Sequence, residues 1–286
     1  MDTLVIGGSG LVGSHILRRF SKEGLDVTGT YNTSPSSNVS VQIDKTDEAA
    51  VSALICDRDP DLIIDVAAFH DVDACEVQRD KTWSVNVTGA RNLAVAANDV
   101  NAHLVYLSTD YVFSGEPTLA PFVETDPVNP VNYYAQSKYA GEQAAKIAEQ
   151  STILRSGVLY GLSRSNFMTW ALDKLREKDT IGIVDDQVST PTYAGDVAEA
   201  CLRVGQRGLT GLYHAAGPES ISRYEFTRRL AEAYGHDPAK VNSIPTEKLD
   251  QLAPRPRDSS LDSSKLYDMI DHSFRDTRTA FEAMSK

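Results

Sequence analysis

TLVIGGSGLVGSHILRRFSKEG, residues 3–24, is the stretch that decides the fold. Leu4, Val5 and Ile6 make a short apolar run of strand type that breaks into Gly7-Gly8-Ser9-Gly10-Leu11-Val12-Gly13, and SHILRRFSKEG then takes up a helical pattern. Strand, glycine turn, helix is the context a dinucleotide fingerprint requires. Gly7 closes the turn, Gly10 lets backbone amides approach a pyrophosphate, and Gly13 lets helix and strand pack closely. Leu11 and Val12 belong to the same turn and count among the expected cofactor contacts.

Working outward, a second strand over residues 26–31 ends in Tyr31-Asn32-Thr33-Ser34. An acid at this point would grip the ribose of NAD and repel a 2′-phosphate. None is present, so the neutral donors Tyr31, Asn32 and Thr33 favour NADP, with NAD possible. A third short strand over residues 39–43 closes at Asp44, placed to meet the adenine amine. Thr46 and Asp47 open the next helix, with Asp47 in its acid-favouring first turn. Residues 61–68 form a fourth strand whose small residues Ala67 and Ala68 leave room for the cofactor, and His70 follows at its carboxyl end. A helix over residues 81–98 contains Asn86, which is unfavourable mid-helix and is read as either bending the helix or, the favoured reading, holding a water near Lys138. With a strand at residues 104–107 the chain has alternated strands and helices as a doubly wound parallel sheet does, the Rossmann arrangement of the α/β class.

That fifth strand runs into the chemistry. HLVYLSTDYVFSG, residues 103–115, ends in Ser108, Thr109 and Asp110, and NYYAQSKYAGE, residues 132–142, carries Tyr134 and Lys138 four positions apart. On a helix this spacing sets a phenol and an ammonium on one face, about 5–6 Å apart at Cβ. A phenol with a free pKa of about 10 is a poor acid and base near neutrality, and a neighbouring cation favours its ionised form. Lys138 is that cation, and Thr109 can hold the carbonyl that Tyr134 protonates under hydride attack.

The bounds agree with an enzyme. The 286 residues are 41% hydrophobic with formal net charge −12, ample for a buried core and adverse to nucleic acid, whose phosphates demand clustered cations. Aspartate outnumbers glutamate and arginine outnumbers lysine, a bias that fits a salt-rich cytoplasm or ordinary acidic solubility. Cys56, Cys75 and Cys201 have no paired spacing, and the six histidines no ligand spacing, so no metal is expected. No apolar run approaches the roughly 18 residues of a membrane span, which points to a soluble, cytoplasmic protein without a membrane partner. A homodimer is compatible with the sequence.

Residues 1–160 read as the nucleotide-binding domain. Residues 161–286 read mainly as a smaller C-terminal substrate-binding lobe, with segments near 181–216 returning to the first. A helix over residues 166–178, a strand over 181–184, the Asp185-Asp186-Gln187 loop suited to enclosing a sugar, and a helix over 222–234 with a Ser222/Glu225 capping box succeed one another. Arg255 and Arg257 stand together in the tail, where arginine suits a bidentate grasp of phosphate.

GGSGLVG, Asn86 in NVTGARNL, STDYVFSG, Tyr134 to Lys138 in YAQSK, DQVSTPT and PRPRDSSLDSSKL together resemble the extended short-chain dehydrogenase/reductases, most closely the dTDP-4-dehydrorhamnose reductases. The resemblance implies NADPH-dependent reduction of the C4 keto group of a nucleotide-sugar, dTDP-4-dehydro-L-rhamnose to dTDP-L-rhamnose. By it, Thr109 and Asp110 sit at the carbonyl, Tyr134 is the general acid, and Lys138 binds the nicotinamide ribose and tunes Tyr134. The substrate contacts fall on His70, Tyr111, Phe113, Asn166, Gln187 and Arg255. The chain departs from the family pattern at Asp65-Val66, where Asn-Ala is usual, and at Val158, where many bacterial members carry tryptophan. The alternatives are an epimerase or dehydratase of the same fold, or an NADP-binding regulatory subunit like the methionine adenosyltransferase beta subunit.

Overall fold

Strand β1 (Asp2–Ile6) alternates its side chains between two cores: Leu4 and Ile6 pack on one face of the sheet and Val5 on the other. Strands β4 (Leu62–Asp65) and β5 (His103–Thr109) are buried at every position, as expected for parallel strands covered on both faces. In a computed structural model, which describes residues 1–36, 39 and 41–285, they join β2 (Asp26–Tyr31), β3 (Val41–Gln42), β6 (Ser151–Ser156) and a seventh strand, Gly211–His214. All neighbours pair parallel, in the order seventh strand, β6, β5, β4, β1, β2, β3. Succession therefore reverses direction between β1 and β4. The carboxyl ends there form the crevice where such sheets bind ligands.

Helix α1 (Leu11–Lys22) and the Ala194–Arg207 helix cover one face, and α2 (Glu48–Arg58) with the Gly89–Asp99 helix covers the other. Outside this sheet, Ile181–Val184 pairs with Val241–Ile244. Helices Phe167–Glu177, Arg223–Ala233 and Thr277–Met284 meet over Met168, Leu172, Phe226, Leu230 and Phe281. Residues 181–184 thus sit apart from the large sheet, whereas 211–214 complete its edge.

Three local differences from the sequence reading have physical causes. The helix expected over 81–98 is interrupted by a π-helical turn, Ser84–Thr88, centred on Asn86. The fourth strand stops at Asp65, whose carboxylate accepts the Ala67 amide at 3.1 Å and turns the chain out of the ladder. Asp47 is the N-cap of α2, accepting from Ala50 N, and Glu48 takes the first turn. Among the described residues no helix is long and apolar enough to cross a membrane.

Candidate active site

The glycine turn is a cradle that side chains would fill. Gly7 has φ 87°, and a Cβ there would lie 3.0 Å from that of Ala67. A Cβ on Gly13 would lie 2.2 Å from the Gly7 carbonyl oxygen. Gly10 caps α1 without a side chain, and the first turn holds no acid, so the leading amides of α1, at Leu11 and Val12, face an open anion site. These residues fit a pyrophosphate. At the adenosine end Tyr31 is half-buried and Asn32 and Thr33 are exposed, while the Asn32 carbonyl accepts from Gln42 Nε2 at 2.8 Å. Asp44 is exposed and accepts the Thr46 amide at 2.9 Å, closing the turn into α2.

Strand β5 delivers the acid edge. Thr109 Oγ1 donates to Asp110 Oδ1 at 3.0 Å, and Ser259 from the C-terminal segment donates to Asp110 Oδ2 at 2.5 Å. Burial pushes the Asp110 carboxyl up to about 6, against the pull of those two hydroxyls and of the Arg223 guanidinium. Asn132 caps the Tyr133–Ala145 helix, which places Tyr134 edge-on to Tyr111 with ring centroids 6.2 Å apart. Burial raises the Tyr134 phenol far above its ordinary range, the Thr109 hydroxyl opposing. Tyr134 keeps its proton.

Lys138 lies where its helix touches the sheet, not against Tyr134. Its ammonium donates to Tyr106 Oη at 2.8 Å and to the Leu107 carbonyl at 2.7 Å. The four-residue spacing does put both side chains on one face, but Lys138 extends down to β5, whose carbonyl and phenol are the nearer acceptors. Its pKa is lowered to about 7 by burial and then by Lys45, with Asp65 and Glu142 opposing. Asn86 sits at the π turn that interrupts its helix, in keeping with the bent-helix reading, and its side-chain amide is engaged locally. Its side chain clamps Phe69, accepting from N at 2.8 Å and donating to O at 3.0 Å, and donates to Ser137 Oγ at 2.9 Å. Only the Asn86 carbonyl approaches the lysine, through Tyr106 Oη at 3.4 Å.

Of the six substrate positions, Tyr111 lies against Tyr134 and His70 is exposed at the exit of β4, its Nδ1 3.3 Å from Ala68 O. The other four have structural partners. Phe113 is fully buried and stacks on Phe122 at 4.4 Å. Asn166 caps the Phe167–Glu177 helix. Gln187 donates to Thr246 and Gln251 at 3.0 and 3.2 Å. Arg255 is held by Asp73 at 3.0 Å, so its guanidinium fastens the tail instead of lying open to a phosphate. The residues that sequence reasoning passed over are Ser259, Arg223 and Lys45. Ser259 falls within PRPRDSSLDSSKL; Arg223 and Lys45 carry no local pattern.

The sequence matches the family described as RmlD substrate binding domain over residues 1–286. The chain belongs to that family. It is 34% identical to the Probable low-salt glycan biosynthesis reductase Agl14 of Haloferax volcanii, covering 93% of this chain and 91% of the relative. It is 35% identical to the dTDP-4-dehydrorhamnose reductase of Mycobacterium tuberculosis, covering 91% and 84%. The dTDP-4-dehydrorhamnose reductase of Bacillus anthracis, solved in complex with NADP, superposes with a TM-score of 0.91 at 29% identity, covering 100% of this chain and 99% of that one.

Proposed function

We propose that this family member is an NADPH-dependent oxidoreductase, NADH being possible, that reduces the C4 keto group of a nucleotide-linked 4-keto-6-deoxysugar. dTDP-4-dehydro-L-rhamnose, giving dTDP-L-rhamnose, is the foremost substrate. The observation that carries the reading is the meeting of Thr109, Asp110 and a protonated Tyr134 at the end of β5, in the same crevice as the glycine turn.

The turn from Gly7 to Gly13 and the leading amides of α1 would hold the cofactor's pyrophosphate, and Ala67 and Ala68 would flank its path. When bound, the reduced nicotinamide supplies a hydride. Tyr134 then passes its phenolic proton to the new C4 oxygen, a base strong enough to take it even from a phenol made weakly acidic by burial. Thr109, whose hydroxyl proton points at Asp110, turns that proton toward the carbonyl and holds it in line.

The test follows NADPH absorbance with dTDP-4-keto-6-deoxyglucose plus its 3,5-epimerase, with GDP-linked and UDP-linked keto sugars in parallel. Stoichiometric consumption with one of them is expected. Sugar conversion without net NADPH loss would mean an epimerase or dehydratase. No turnover on any sugar, with a synthetase subunit co-purifying, would mean a regulatory NADP-binding protein.

A further inference from the structure

Beneath the crevice, on the sheet face covered by the Tyr133–Ala145 helix, lies a row of buried charges of alternating sign: Lys45 after β3, Asp65 at the end of β4, Lys138 and Glu142 on the helix, and Arg155 on β6. None is more than 5% exposed. Lys45 Nζ lies 2.7 Å from Asp65 Oδ2 and 3.0 Å from Oδ1. Arg155 grips Glu142 with Nε and Nη2 at 2.9 and 2.8 Å, and Ser108 Oγ donates to the same carboxylate at 2.6 Å. Tyr106, in register with Asp65 on the neighbouring strand, receives Lys138 between the two pairs.

The Lys45–Asp65 end of this row also builds the cofactor crevice. Lys45 donates to the Ala67 carbonyl at 2.6 Å and Asp65 accepts the Ala67 amide, so both polar groups of that peptide corner are fixed by one ion pair. Ala67 is the residue that a side chain on Gly7 would strike. Room for the lysine stem is kept by Gly89, where a Cβ would lie 2.7 Å from Lys45 Cγ.

We propose that the Lys45–Asp65 pair is a positioning device for the reduction: it pins the Ala67 corner beneath the glycine turn and, through its two opposed charges, governs whether Lys138 is an ammonium or an amine. Its role in the reduction rests on the reductase reading; the coupling to Lys138 does not. The charged groups facing Lys138 are Lys45, Asp65 and Glu142, the last neutralised by Arg155, and the phenol beside it is Tyr106. Burial already brings the amine to about 7, so a change in one neighbouring charge moves it across neutrality.

The experiment titrates Lys138 in the ligand-free protein by NMR of ε-13C-labelled lysine, with the resonance assigned by its loss in Lys138→Met. Lys45→Met removes a like charge and exposes Lys138 to an uncompensated Asp65. The midpoint should rise by about one pH unit, the order expected for one nearby charge at an effective dielectric of about 20. Asp65→Asn should move it down, Lys45→Met/Asp65→Asn should bring it back to the wild-type value, and Lys45→Arg should leave it in place. Shifts of opposite sign that cancel are what charge coupling requires and loss of packing does not give. Midpoints that stay fixed in both single variants, or move the same way, overturn the proposal. If Asp65→Asn does not fold, Lys45→Met against Lys45→Arg decides it. The high-pH limb of kcat/KM should follow the NMR midpoints. Midpoints that move as stated in a protein that reduces no keto sugar leave the coupling standing and sink the reductase reading.

Discussion

Desolvation holds the Tyr134 phenol protonated, so its proposed role as a proton donor needs no permanent cation at contact distance. Lys138 acts one layer below, on Tyr106 and the β5 backbone. Tyr134→Phe should lower kcat by about 10²–10⁴-fold, the usual range for removing a positioned acid, while NADPH affinity in a fluorescence titration stays at the wild-type value. Full activity in that variant would remove Tyr134 from the chemistry. At this scale spacing makes a shared face legible, which is why Tyr134 and Lys138 can be paired from sequence. It does not say which acceptor a long side chain will find. Lys138 finds a carbonyl and a phenol on the neighbouring strand, Arg255 finds Asp73, and Gln187 finds Thr246, all through contacts distant in sequence.

The turn into α1 is the element whose form follows most directly from its residues. Gly7, Gly10 and Gly13 each stand where a Cβ would crowd a neighbour, and Gly13 has the least room of the three. Gly13→Ala should push α1 away from β1, weaken NADPH binding at least tenfold in the same titration, and destabilise the fold by about 1–3 kcal/mol in thermal melts, the cost of overpacking a tight contact. Unchanged binding would show that the dinucleotide lies elsewhere. Other elements were legible as to type and less so in detail. The Asn86 segment reads as helix, yet its π turn depends on Phe69 and Ser137, which the asparagine can reach only in the folded chain. A reciprocal capping box sits at Asn166–Thr169, where Thr stands in for the usual glutamate, while at Ser222 the serine accepts the Glu225 amide.

At the scale of the molecule, the doubly wound sheet was readable because strands and helices alternate and β1, β4 and β5 each carry a run of apolar residues. The docking of the tail was not, since it is made by single contacts between distant segments. Asn132 donates to the Pro254 carbonyl at 2.9 Å, Asp73 holds Arg255, and the Val188 amide donates to the Arg257 carbonyl at 2.7 Å. Residues 253–259 thereby tie the Tyr133–Ala145 helix, the 72–77 helix and the segment at Val188 together. Arg255→Met should cost at most about 1 kcal/mol of stability, because Asp73 is partly exposed and screened. It should nonetheless raise KM for the nucleotide-sugar and hasten protease cleavage near residue 255. A variant as resistant as wild type would mean that the tail holds without this pair.

The hydroxyl that Ser259 gives to Asp110 comes from 149 positions further along the chain. All the residues between the two must therefore be synthesised before the Asp110 carboxyl gains its second hydroxyl donor. The glycine turn precedes both partners in the chain, so a chain cut short before residue 259 would keep the residues of that turn and lack the hydroxyl that completes the Asp110 contact.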